Sequence, residues 1–353
     1  MSELPWPTEP AVPGNSPAAP GTAPSATPAW RESTLAAALM LLGMGLHVAA
    51  MFPDYPGNPA KPVTSSADET AIYLCLEIGW GLAGLLVLSH LSVRGGVAFA
   101  VGLGVVEIGL LLTDTASGLQ VSNDAAPGIW LAWAGLGAGL AGACLAAASV
   151  QMLQVSKALP TPSMVARSAL TVPVAIIAVA AFWPSWDHYH LVSTSGRTVD
   201  ITVGNAFSQP TGVMAGEVLA GVAIGAVAII AALWSPPWVG AWATAGVVLA
   251  LASQLISGVV QVHEPLTATL GPDLSGINVH ASSLWLTASW GIDLAAAVAL
   301  VCLAIWAGLE PWGARREVAG AFGPAGEASH DGFAQRHEEI AGQWPASKHW
   351  PRA

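Results

Sequence analysis

The chain has 353 residues and a formal net charge of −11; 54% of the residues are hydrophobic and only 9% are Asp, Glu, Lys or Arg. Soluble globular domains carry about 25% charged residues, and the shortage here runs through the whole middle of the chain, which excludes a soluble domain on a single anchor. No basic and aromatic cluster of the kind that grips nucleic acid is present in the sequence.

Met1 to Ala29 is rich in Pro, Ala, Ser and Thr, with Glu3 and Glu9 and no basic residue. A secretion signal needs a basic start and an apolar core, so residues 1–30 read as a disordered tail. Apolar runs of spanning length then follow at 34–52, 70–93, 95–113, 127–154, 168–183, 212–234, 238–262 and 280–309. Pro53 ends the first. Arg94 separates the second from the third, which predicts a tight turn. The fifth is the shortest and carries Pro173 in its first turns. Ser235-Pro236-Pro237 separates the sixth from the seventh. Inside hydrocarbon every backbone polar group must be paired within the segment, and the length, Pro and Gly content argue against a barrel. The expectation is an all-α polytopic transmembrane bundle of eight helices over residues 31–309. Residues 310–353 read as a second, mostly disordered tail.

Between the fifth and sixth runs, Thr198, Asp200 and Thr202 alternate with Val199, Ile201 and Val203 after a Ser195-Gly196 turn. That is strand periodicity, and it predicts a small extracellular hairpin within Val192 to Phe207. Orientation follows from the basic residues. With the N-terminus inside, Arg31, Arg94, Lys157, Arg167, Arg315, Arg316, Arg336, Lys348 and Arg352 fall on the cytoplasmic side, and only Lys61 and Arg197 fall outside. This is the positive-inside bias of a cell-membrane protein with both termini cytoplasmic.

Faint similarities suggest a tandem parallel 4+4 repeat. Glu107 and Asp114 stand opposite Gln254 and Gln261 at the same spacing, and Glu77 in the second run stands opposite Glu217 in the sixth. Phe52-Pro-Asp-Tyr in the first outer loop matches Trp183-Pro-Ser-Trp in the third. An even helix count per half gives both halves the same orientation, which an inverted repeat would not.

Charged groups inside hydrocarbon cost several kcal/mol and mark function. His47, Glu77, Glu107, Glu217 and Asp293, with Gln254, form the candidate buried polar site, and no buried Lys or Arg is expected beside them. The outer loops add histidines. His188 and His190 alternate within Asp187-His188-Tyr189-His190, so an extended segment would point both one way, with Asp187 as a supporting partner. His263, Glu264 and His280 complete the candidate metal ligands, and a transition metal is the cofactor that imidazole and carboxylate would take.

No nucleotide loop, nucleophile elbow, Cys-x-x-Cys or metalloprotease helix occurs. Three readings stay open. The first is a proton- or cation-coupled transporter with an acidic site in the outer half of the bundle. The second is a membrane redox or metal-handling protein with its site at the outer face. The third is an accessory subunit of a larger membrane complex, with a membrane protein partner beside the lipid bilayer.

Overall fold

The computed structural model describes residues 29–55, 61–65, 67–89, 92–122, 126–149, 162–193, 197–203, 205–234, 236–263 and 279–321. Among them eight helices form: α1 (Ala29–Ala50), α2 (Ala67–Leu88), α3 (Val93–Ser122), α4 (Pro127–Ser149), α5 (Pro162–Phe182), α6 (Thr211–Leu233), α7 (Pro237–His263) and α8 (Ala288–Ala321). Each holds a stretch long and apolar enough to cross a bilayer, so the chain has the build of a multi-pass membrane protein. The expected tail at 1–30 falls outside the described residues up to 28, and residues 322–353 lie outside them as well.

Several boundaries move, each for a local reason. Helix α3 continues nine residues past Thr113 because its polar residues are satisfied where they stand. The hydroxyls of Thr113 and Thr115 donate to the carbonyls of Gly109 and Leu111, and Asp114 accepts from Tyr73. Helix α5 begins six residues earlier than expected, at Pro162, where the missing proline N–H costs nothing in a first turn. The eighth span does not begin at His280. Residues Val279–Leu286 form a strand, and the helix starts at Ala288 and runs to Ala321, into the expected tail. Helix α2 stops at Leu88, leaving a short connection before α3, and Arg94 lies inside the first turn of α3.

Two small sheets cap one end of the bundle, called here the sheet end; the opposite end is the terminal end. Strands β1 (Asp54–Tyr55) and β2 (Lys61–Pro62) pair antiparallel. Strands β3 (Asp187–Ser193), β4 (Thr198–Val203) and β5 (Val279–Leu286) form an antiparallel sheet in the order β4-β3-β5. The expected hairpin is therefore present but starts earlier, with Asp187 opposite Val203 and Val192 opposite Thr198. Its other edge is covered by β5, which leaves fewer unpaired backbone groups.

The packing repeats. In the first half α1 packs on α2 and α4, and α3 on α2 and α4; in the second half α5 packs on α6 and α8, and α7 on α6 and α8. Across the middle α3 packs on α7, while α2 on α7 mirrors α6 on α3. The contact scheme of the second half thus repeats that of the first, as two like-oriented four-helix units would. The repeat spacing of 147 residues implied by Glu107 and Gln254 also matches Phe99 with Gly246, and these two residues touch: a Cβ on Gly246 would lie 2.2 Å from the Phe99 carbonyl oxygen.

Close backbone approach holds the units together, as expected where lipid removes any gain from water expulsion. A Cβ on Gly43 of α1 would lie 2.7 Å from the Gly135 carbonyl of α4, and one on Gly142 would lie 2.6 Å from that of Ala36. Met40, Trp80, Leu103 and Leu251 are fully buried within the main apolar core. Cys144 and Cys302 are exposed on helix faces, and all three cysteines, Cys75 included, are free thiols.

Candidate functional site

Three helices of the first half build a buried polar centre. His47 of α1 reaches Glu107 of α3, Nε2 to Oε1 at 3.1 Å, and neither side chain has any exposure. The contact is close enough for an ion pair, but its angles fall short of a hydrogen bond. Trp80 of α2 donates from Nε1 to Oε2 of Glu107 at 2.7 Å. Glu77, one turn before Trp80, is buried; its Oε1 has no partner, and its carboxyl group lies within electrostatic range of Glu107. Helix α4 supplies glycine where the rings need room. A Cβ on Gly135 would come within 2.7 Å of the His47 ring, and one on Gly139 within 2.6 Å of the Trp80 ring.

Two turns along α3 toward the sheet end stands Asp114, which accepts a hydrogen bond of 2.6 Å from the Tyr73 hydroxyl. Seven residues of helix amount to about 10.5 Å, and Leu110 and the buried Leu111 occupy the interval. Asp114 lines a crevice of about 190 Å³ at the sheet end, between the two halves. Asp187 and Glu217 line it too, with Thr113 and Gln254 as neutral polar groups. Phe182 and Trp186, edge to face at 5.7 Å between ring centres, form one wall. Burial pushes the Asp187 carboxyl up from its ordinary range, opposed by a hydrogen bond of 3.2 Å from Tyr189.

The expected buried site thus divides. His47, Glu77 and Glu107 come together; Glu217 and Gln254 gather in the crevice. Asp293 lines neither group: it is fully buried in α8, on the face that also buries Ala296, Ala297 and Leu300, and neither carboxyl oxygen has a partner.

The histidine expectation fares differently. His188 and His190 do share a face of β3, but they turn to Asp200 of β4, not to Asp187. His190 Nδ1 lies 2.6 Å from Asp200 Oδ1 and His188 Nε2 lies 3.6 Å from the same atom. The His188 ring packs on Trp285 at 4.5 Å, and the bond to His190 holds the Asp200 carboxyl below its ordinary range. His263 Nδ1 meets the Val259 carbonyl of its own helix at 2.7 Å. The backbone of His280 pairs opposite Val192 in β5, and Glu264 lies outside the described residues. Among the described residues no group of three or more His, Cys, Asp or Glu side chains is placed to hold a metal ion. The metal-ligand expectation has no support for that reason.

One buried cation went unforeseen. Arg167 is expected as a cytoplasmic surface charge, yet it is buried near the terminal end. Its Nη1 donates to Glu310 of α8 at 2.5 Å and its Nη2 to the Ala232 carbonyl of α6 at 3.2 Å. The roles of Trp80 and Tyr73 were also not foreseen. Trp80 stands three residues after Glu77, a spacing that puts both on one helix face, but no sequence signal says which helix they meet. No protein-family model, no curated protein and no solved structure matches the chain.

Proposed function

We propose that the protein is a transporter of the cell membrane that couples its work to protons or small cations entering at the sheet end, with both termini cytoplasmic. The observation that carries this is a line of acidic groups along one path. Asp114, Asp187 and Glu217 sit in a crevice open at the sheet end. Beyond it along α3, the enclosed Glu107 faces His47, with Glu77 close by. Ionisable groups inside a span mark such routes, and a parallel two-fold repeat is a transporter architecture.

The chemistry follows from the groups present. The crevice gathers carboxylates with no basic residue in its lining among the described residues, which favours a cation over an anion. Glu107 Oε1 and His47 Nε2 face each other at 3.1 Å while Trp80 donates to Oε2 of Glu107, so either member of the pair can take up a proton that reaches the centre. Leu110 and Leu111 separate that pair from the crevice, so passage requires a change of state and not a continuous wire. The redox or metal-handling reading has less behind it: His188 and His190 engage Asp200, and no group of three ligating side chains gathers among the described residues. The accessory-subunit reading has no observation of its own.

The test is proton uptake into proteoliposomes carrying a trapped pH dye, with an imposed potential. Wild-type protein should acidify the lumen, and Glu107→Gln should abolish the signal while eluting as the same monodisperse species. Uptake equal to protein-free liposomes for the wild type across several cations would remove the proposal. For sidedness, a cysteine at Thr198 should react with impermeant maleimide on intact cells; reaction only in opened cells would reverse the orientation.

A further inference from the structure

The two halves share their packing scheme but are not held alike. In the first, α1 and α4 are joined by backbone against backbone, through Gly43, Gly135, Gly139, Gly142 and Ala36. In the second, the matching pair α5 and α8 are the two least buried spans, each with 28% of its apolar window enclosed. Their terminal ends are joined by a polar clasp. Glu310 of α8 accepts from Arg167 and from Ser163 of α5. Arg167 and Ser168 also donate to the Ala232 carbonyl of α6, the latter at 3.4 Å. Three helices meet at one buried guanidinium.

Helix α5 carries a proline above this clasp. Pro173 lies inside the helix, where it has no N–H to give the carbonyl four residues earlier and its ring crowds that turn. It lies six positions after Arg167. At its other end α5 runs into Phe182, Trp186 and Asp187, which line the crevice. The same helix therefore carries crevice wall at the sheet end and clasp at the terminal end, with a weak point between. The crevice is open and the clasp is closed.

We infer that Arg167 and Glu310 form the gate of the terminal end, and that α5 opens it by pivoting at Pro173. This rests on the transport reading above and adds its moving part. A salt bridge suits a gate because its two partners can be rehydrated when they part. A closed gate needs only a small bias, since a ligand shifts the balance by its difference in affinity for the two states.

The experiment is thiol accessibility in a background with Cys75, Cys144 and Cys302 changed to Ser. Thr171→Cys places one thiol a turn above Arg167, at a buried position. A charged methanethiosulfonate is applied to inverted membrane vesicles. The thiol should react slowly in the parent and about tenfold faster or more with Glu310→Gln, which is about 1.4 kcal/mol of lost bias. The swap Arg167→Glu with Glu310→Arg should return the rate toward the parent. Adding Pro173→Ala to Glu310→Gln should slow the reaction again by stiffening α5. An unchanged rate in Glu310→Gln, in protein that still elutes as a single species, overturns the gate. So does a swap that reacts as fast as Glu310→Gln. Labelling reads the gate directly, so that failure is separate from failure of proton uptake in the wild type.

Discussion

Replacing Glu107 is the sharpest probe of the buried centre, because Ala and Gln remove different things. Glu107→Gln keeps the volume and an oxygen for Trp80, and loses only the charged approach to His47. Polar contacts between spans average about 0.6 kcal/mol, with a maximum near 1.7, since the unfolded chain in the membrane also finds partners. Glu107→Ala strands the Trp80 N–H and the His47 nitrogen in a fully buried place and opens a cavity. Breaking a buried pair in this way costs about 3–5 kcal/mol. With a slope of roughly 2–4 °C per kcal/mol for chains of this order of size, Ala should lower the melting temperature by about 6–20 °C. Gln should lower it by about 1–7 °C on the same slope. Tryptophan fluorescence during heating in one detergent measures both. His47→Ala with Glu107→Ala should cost less than the sum of the single changes, because neither is then left facing a stranded partner. If Ala and Gln melt together, or the double change is additive, the pair does not hold the first half as described.

Other outcomes follow from individual contacts. A Cβ on Gly102 would meet the Ala243 carbonyl at 2.1 Å, whereas one on Gly137 meets nothing within 4 Å. Gly102→Ala should therefore destabilise by about 1–3 kcal/mol, and Gly137→Ala should be neutral or slightly stabilising; equal melting curves would contradict the α3–α7 contact. Asp293 has no partner for either oxygen, so Asp293→Leu should melt no lower than the parent, unlike Glu107→Leu. A lower melting temperature would mean that Asp293 holds the fold together. On the hairpin, the His190 bond depresses the Asp200 titration. A depressed acid stabilises where it is ionised, so the β3–β4 pairing keeps its support above the ordinary carboxylate range. It loses that support as pH falls through the lower, folded value. Amide exchange in β3 and β4, corrected for the intrinsic rate, should quicken on acidification in the parent and show little pH response in His190→Ala. A parent and variant with the same pH response would dismiss the pairing.

How far the chain could be read before folding depends on which solvent does the selecting. Hydrocarbon forces each apolar run of sufficient length to be a helix, so all eight spans were readable from composition alone. Their ends were not. Asp114 looked like a loop residue, yet the Tyr73 hydroxyl 41 residues away lets it stay helical. The segment 279–286 is apolar enough to read as helix, yet the free edge of β3 makes it a strand. The alternation of residues 198–203 was enough to mark a hairpin, because period two survives without tertiary contacts.

The site was readable as an inventory and not as an arrangement. His47, Glu77, Glu107, Glu217 and Asp293 stood out because ionisable groups are rare in such runs, and their depth placed them in the body of the bundle. Sequence could not say that Glu107 meets His47 and Trp80, that Glu217 joins Asp187 across a crevice, or that Asp293 meets no polar partner. Spans apolar on every side carry no stripe to mark the inward face. Which faces meet is decided by where Gly and Ala let backbones close in, as at Gly43, Gly102 and Gly246. Composition therefore determined that this chain fills a membrane with eight helices. Only the packing of those helices decided that Glu107 meets His47 beneath a crevice lined by Asp114, Asp187 and Glu217, and that Arg167 is buried against Glu310 toward the other end.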